Sequence, residues 1–525
     1  MPRNKSHEMK IKNVFCSCLL ALGIIFKLWL IAEMEITDDP NDPANYVAQI
    51  LFNWGLCYGP GTGYVGKLFH ELGIPFRLGI EIAYLLSSLL VLKALFEWPT
   101  RSFLSLGLYF FVIFNPAPEE LFSHLMSDQV WLVETMLGIS FLVFFARDQS
   151  RFRWLYALLS ALCLGFSVIT RSAIVPLTVA FFLCALLAGI LYWLKGKGNR
   201  LDLSAIGGCL LCLYTINLFY YSTCYYHSKC NDFFGLSIYD CQEYKDFYMC
   251  LQSVGDPTGE KYYPVDDQRL ALISQAGPKS RWLVEQLSQQ LFFRKVSLDT
   301  YGKPGLALGW FHAAVYETMK QDGDFKKFFV LFKDVENEIH QAAQEKRLKV
   351  RAILPLPDCR VPIVLSAIPD AARRITDLTT IEPSRYAWDW EFNEPQFNNP
   401  YFSQATSRRI VTSSPLRENI GKALCSVYSH AYANLLWCLI VIMLLFAGLF
   451  IYSWRKIPSF SFYFLAQQLF AVMFILLFFW YLLFDASGLL AASRYLIFNN
   501  VMLPVLLVYY LDKSLRLMKH DYADF

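Results

Sequence analysis

Ten apolar runs, at about 14–33, 78–96, 103–115, 130–146, 154–170, 174–194, 203–225, 432–453, 460–484 and 495–512, are separated by polar segments along the chain. Crossing ~30 Å of hydrocarbon at ~1.5 Å per residue takes about 20 helical residues, so the runs predict transmembrane helices. The third, SFLSLGLYFFVIF, is the shortest. The first follows a charged start, MPRNKSHEMKIKN, as the core of a signal peptide would. Its apolar stretch is longer than such a core, and LIAEMEITDD offers no small-x-small cleavage site, so it reads as a retained span.

Between the seventh and eighth runs stands a long polar insert, about 226–431. Within 309–347, Trp310, Phe311, Val315, Phe328, Phe329, Leu331, Phe332, Val335 and Ile339 recur at near-helical spacing. The insert therefore reads as a small, mostly helical domain. The expected fold is an all-α membrane protein: a seven-span unit (1–225), an extracytoplasmic domain (226–431) and a three-span unit (432–525).

Composition sharpens this reading. Hydrophobic residues are 55% of the 525, and charged residues only 17%, where ~25% is ordinary for a soluble domain. Mean hydropathy is +0.34. The net charge of +3 supplies no basic field for nucleic acid. A disordered chain and a coiled coil are excluded by the same figures.

Lys and Arg set the orientation. With a cytoplasmic N-terminus and alternating sides, sixteen cations fall in cytoplasmic segments and four, Lys67, Arg77, Arg171 and Arg494, in short outer loops. Both termini are then cytoplasmic. Eight of the 14 cysteines lie in or against spans, where Cys is a small hydrophobe. Cys230, Cys241, Cys250 and Cys359 fall in the insert, where a disulfide is possible and its pairing is open. No CxxC occurs within the insert and the eight His are scattered, so no metal site is expected.

Candidate chemistry gathers on the outer side. In the first outer loop, Asp42 before Pro43 marks a helix start, with Asp as N-cap and Pro at the first helical position. Asp38, Asp39 and Asp42 concentrate at the mouth of the first span. Glu119, Glu120 and Asp128 lie just outside the third and fourth spans. Lys27, Glu81 and Glu134 stand inside spans near their outer ends; intramembrane charges usually face a polar cavity or a partner, although snorkelling to the interface is the plainer alternative. Arg171 and Arg494, the latter beside Tyr495, are placed to bind a lipid phosphate or to anchor at the interface. Trp388 and Trp390 can stack on sugar rings but suit a core equally well.

These residues carry a resemblance. An acid with a Tyr four residues on (Asp42, Tyr46) after the first span, a second acid in the next outer loop (Asp128), and SRYLIFNNVMLP opening the last span resemble the GT-C superfamily of polytopic glycosyltransferases. That group includes protein O-mannosyltransferases and bacterial aminoarabinose transferases. DPANYVAQIL, GPGTGYVGKLFHELGIP, NPAPEELFSHLMSDQVW and the stretch opening GWFHAAVYETM are similar, more closely, to bacterial membrane proteins assigned to that superfamily. Relatives tend to carry acids directly after the Thr-Arg of the third outer loop, whereas Ser172 and Ala173 follow Arg171 here.

The resemblance implies transfer of a sugar from a polyprenyl-phosphate donor to an acceptor glycan, lipid or protein at the outer face of a bacterial inner membrane. It implies Asp42 as general base, with Asp39 beside it and Asp128 orienting the acceptor or holding a divalent cation. Arg494, Arg171 and Lys27 would meet the phosphate, and Tyr46, Tyr495, Asp38 and Glu120 would complete the substrate contacts. No nucleotide-binding motif is present or required. A lipid or solute transporter, or flippase, would use the same residues without covalent chemistry, but the paired, interrupted halves of transporters are not evident. A catalytically inactive membrane scaffold is a third reading, supported by Ser172 and Ala173.

Overall fold

The structure, a computed structural model, describes residues 3–32, 43–52, 59–96, 102–122, 124–148, 150, 152–171, 174–195, 203–256, 263–320, 325–351, 361–378, 400–407, 414–457, 461–486 and 493–522. The described chain is helical. No β-strand occurs among these residues, only an isolated bridge between Val254 and Val350.

The N-terminal unit holds α1 (Arg3–Ile31), α2 (Pro43–Phe52), α3 (Gly61–Glu71), α4 (Phe76–Leu95), α5 (Phe103–Ile113), α6 (Pro116–Phe122), α7 (Ser127–Arg147), α8 (Arg153–Thr170), α9 (Ile174–Lys195) and α10 (Leu203–Cys230). Next come α11 (Gln242–Ser253), α12 (Asp267–Ile273), α13 (Pro278–Ser288), α14 (Leu291–Tyr301), α15 (Leu308–Lys320) and α16 (Phe325–Gln344). The chain closes with α17 (Val361–Asp377), α18 (Pro400–Thr406), α19 (Pro415–Ser453), α20 (Phe462–Ala486) and α21 (Ile497–Met518).

Seven helices among the described residues, α1, α4, α7, α8, α10, α19 and α20, are long and apolar enough to cross a membrane. The chain is an all-α integral membrane protein. The apolar runs at 78–96, 130–146 and 154–170 became helices with ends within a few residues of those expected. The run at 432–453 is only the C-terminal part of α19, whose 39 residues extend about 58 Å. That helix starts at a Ser414 cap with Pro415 in its first turn, so its polar first half is helical for local reasons that hydropathy does not register.

The run at 103–115 became α5, whose 11 residues reach about 17 Å, roughly half the hydrocarbon thickness. It lies parallel to α1, through Phe15 on Phe103 and Phe26 on Phe114. It is antiparallel to α4, where Tyr84 donates to the Val112 carbonyl and Tyr109 to that of Leu85. The turn into α6 therefore sits level with the C-terminal part of α1.

Buried apolar residues form two main cores. One joins the membrane helices; the other, from Phe233 to Leu348, is built by α11–α16 and their connections. Phe311, Val315, Phe328, Phe332, Val335 and Ile339 are buried in the second core, divided between α15 and α16. Ala367, Ala371 and Ile375 of α17 and Ala405 of α18 join the membrane core, although the sequence reading put 361–431 wholly in the outer domain. Asn500 of α21 secures this packing by donating to the Ile375 carbonyl at 2.7 Å. At the opposite end, Gln467 and Gln468 of α20 bond the hydroxyls of Tyr509 and Tyr510 on α21, and Gln467 also donates to the Ala94 carbonyl of α4.

Candidate functional site

Polar side chains from six helices meet near one end of the bundle, in two sets. The first is closed. Lys27 of α1 pairs with Glu119 of α6 and stands 3.6 Å from Glu81 of α4. Arg77 of α4 bonds Glu81 at 2.9 Å and also pairs with Glu119. Two cations and two carboxylates thus cancel, and every member of the quartet is at most 4% exposed. Such a network is the arrangement that lets ionised groups lie in a low-dielectric interior.

This corrects the sequence reading of Lys27. Neither Lys27 nor Glu81 lines an open polar cavity. The Lys27 ammonium is buried against carboxylates and is not offered to a lipid phosphate. Glu119 is an acid of that loop that enters the network; Glu120 lies in α6, and its side chain is outside the described residues.

The second set is partly open. Asp128, in the first turn of α7, pairs with Arg171 at the end of α8. The guanidinium of Arg171 lies 4.2 Å from the Tyr495 ring centroid and 5.9 Å from that of Trp131. Its side chain is 24% exposed, against 4% for Asp128, so the pair has a buried and a solvent-side partner. One residue before Arg171, the Thr170 hydroxyl donates to Glu134 Oε2 at 2.7 Å. Glu134 lies six residues beyond Asp128, about 9 Å along α7.

Close packing brings α3 onto this set. A Cβ on Gly61 would stand 2.2 Å from Thr170 Oγ1, and one on Gly59 would stand 2.1 Å from the Ile169 carbonyl oxygen. Glycine alone allows this approach. Around the same end, the hydroxyls of Thr62 and Thr135, the Gln129 amide and the Trp131 indole N–H are buried without a hydrogen-bond partner. Buried polar groups are normally paired, and three of these four lie within two turns of α7.

Of the residues singled out from sequence, the structure therefore brings Asp128, Arg171 and Tyr495 together. Tyr46 is buried in α2, away from solvent. Pro43 begins α2, as the Asp-Pro start predicts. Asp38, Asp39, Asp42, Ser172, Ala173, Trp388 and Trp390 lie outside the described residues, as does the side chain of Arg494. Sequence reasoning noticed Glu134 but assigned it no partner; Thr170, Gln129 and Thr62 gave no signal, being ordinary polar residues in short motifs.

A further polar group, missed entirely, links Asn115 to Tyr432 and Asn500: Asn115 donates to the Tyr432 hydroxyl at 3.0 Å and to Asn500 Oδ1 at 2.8 Å. It ties the α5–α6 turn to α19 and α21. In the second core, the Tyr244 hydroxyl bonds His312 Nδ1, and the rings of Tyr239, Tyr244 and Tyr248 pack within 5.6 Å of the imidazole centroid. Burial among these rings pushes the His312 imidazole down to about 4, so it is neutral at pH 7. Cys230, Cys241 and Cys250 are free thiols, and burial pushes Cys241 and Cys250 up to about 12; Cys359 lies outside the described residues. Among the described residues no group of three or more His, Cys, Asp or Glu is placed to hold a metal ion.

Fold and site together define an integral membrane protein with a polar site near one end of its helix bundle. Comparison with protein-family models, curated proteins and solved structures finds no match to this chain.

Proposed function

We propose that this protein is a glycosyltransferase of the GT-C type, moving a sugar from a polyprenyl-phosphate donor to an acceptor at the outer face of a bacterial plasma membrane. The reading includes ten spans, cytoplasmic termini and an extracytoplasmic domain built around α11–α16. One observation carries it: Asp128, Arg171 and Tyr495 converge near buried polar groups that make no hydrogen bond.

In this reading Arg171, held in place by Asp128 and stacked on Tyr495, meets the donor phosphate together with Arg494. A guanidinium suits that task because it binds phosphate bidentately and stays charged. Asp42, with Asp39 beside it, takes the proton from the acceptor hydroxyl. The acceptor oxygen then bonds to the anomeric carbon as the carbon–oxygen bond to phosphate breaks, and polyprenyl phosphate leaves.

The test uses protein in nanodiscs with a radiolabelled polyprenyl-phosphate sugar and a membrane extract as acceptor source. Wild type incorporates label and Asp42→Asn does not, at equal expression and equal thermal stability. Equal incorporation by both removes Asp42 from the mechanism; no incorporation by wild type with any polyprenyl-phosphate sugar counts against transfer itself.

A further inference from the structure

Glu134 is unlike the other buried acids. Glu81 and Glu119 each touch two cations, and Asp128 holds Arg171. Glu134 is 8% exposed, and the hydrogen-bond partner of its carboxyl is the neutral hydroxyl of Thr170.

Among the described residues, the surrounding helices bring no countercharge to it. From α8 come Cys163 and Thr170, with Arg171 already on Asp128. From α4 come Arg77 and Glu81, bonded to each other, and Lys93, whose ammonium lies over Phe144, ten residues further along α7. Glu119 of α6 is held by Lys27 and Arg77, and His227 of α10 bonds the Gly235 carbonyl. On α3, Lys67 pairs with Glu71 and His70 is near the helix end; on α21, Lys513 lies over Tyr509 and Arg516 bonds Asp512. The described side chains of α20 include no charge.

A carboxylate left in the membrane without a cation is costly, and taking up a proton removes that cost. The partner also fits. An Arg or Lys would hold the acid in its charged form, whereas a threonine hydroxyl donates to a carboxylate and accepts from a carboxylic acid, so one hydrogen bond serves both states. We propose that Glu134, with Thr170 as its partner, is a proton-binding site within the membrane, adjoining the outer-end polar set. The carboxylic acid is the resting form, and the proton leaves and returns at the carboxyl oxygens. This assignment stands independently of the transferase reading.

The probe is dicyclohexylcarbodiimide, which enters membranes and adds to protonated carboxyls, carrying every atom of the acid into a stable acylurea. Full-length protein in nanodiscs is treated at pH 6, 7, 8, 9 and 10, and its peptides are read by mass spectrometry. Glu134 is the labelled acid at pH 6, and its adduct falls at least tenfold by pH 10. No adduct on Glu134 at pH 6, or one indifferent to pH, overturns the proposal. Thr170→Val, which retains the acid, guards against a folding artefact: losing a hydroxyl that stabilises the carboxylate moves the labelling midpoint up by about one pH unit. An unchanged or lowered midpoint overturns the role given to Thr170.

Discussion

Arg171 pairs with Asp128 while its guanidinium lies 4.2 Å from the ring centroid of Tyr495, so one side chain joins the end of α8, the start of α7 and the turn before α21. Arg171→Ala leaves Asp128 buried without its cation, which costs about 2–4 kcal/mol. Arg171→Lys keeps the charge but loses the planar stack and the fork. Thermal unfolding in detergent should therefore rank wild type above Lys above Ala, with the proposed transfer lost in both variants. Equal melting of all three would show that the pair does not hold the site together.

The quartet predicts non-additive substitutions. Glu119 touches both cations, so Glu119→Gln leaves excess positive charge in a dry interior and costs about 3–5 kcal/mol. Lys27→Met leaves the opposite excess. The double variant retains a neutral Arg77–Glu81 pair and should recover much of the loss, a coupling that a double-mutant cycle measures directly. Simple addition of the two losses would mean the four groups do not act as a unit.

These pairings also mark where sequence stops being informative. Hydrocarbon penalises charge, which is why Lys27, Glu81 and Glu134 stood out within apolar runs. Their partners did not, because Lys27 and Glu119 are 92 residues apart and Asn115 and Asn500 are 385 apart. No local spacing encodes such a meeting. Apolar runs located most membrane helices for the same reason: the solvent acts on each segment independently. It does not act on the polar half of α19, or on α17, whose place against the membrane core depends on Asn500 and on α20.

Gly61 tests the close approach of α3. Gly61→Ala drives a methyl to 2.2 Å from Thr170 Oγ1 and 2.6 Å from its backbone nitrogen, so backbone must move. A loss of about 2 kcal/mol or more is expected, by analogy with overpacked cores. Gly107→Ala, in α5 with open space around it, should be neutral or slightly stabilising. Equal melting temperatures for the two variants would contradict the packing.

His312 makes the packing of α11–α16 acid-sensitive. Its folded value, about 4, lies below the ordinary 6.5, so the unfolded chain binds a proton that the folded domain refuses between those values. Stability is complete above pH 6.5 and falls as pH drops toward 4. The full shift corresponds to about 3 kcal/mol, reduced to about 2 because solvent reaches the half-buried ring. Unfolding of the full-length protein at pH 7 and pH 4.5, followed by tyrosine and tryptophan fluorescence, should show the loss, and His312→Gln should diminish it. A loss of the same size in His312→Gln would place the sensitivity elsewhere.

The most direct measurement of the central claim is native mass spectrometry of the protein released from bacterial membranes. The account predicts a retained ligand with the mass of a polyprenyl-phosphate sugar, held by wild type and lost in Arg171→Ala. Ordinary phospholipids alone on the wild type, or the same carrier held equally by the variant, would contradict it.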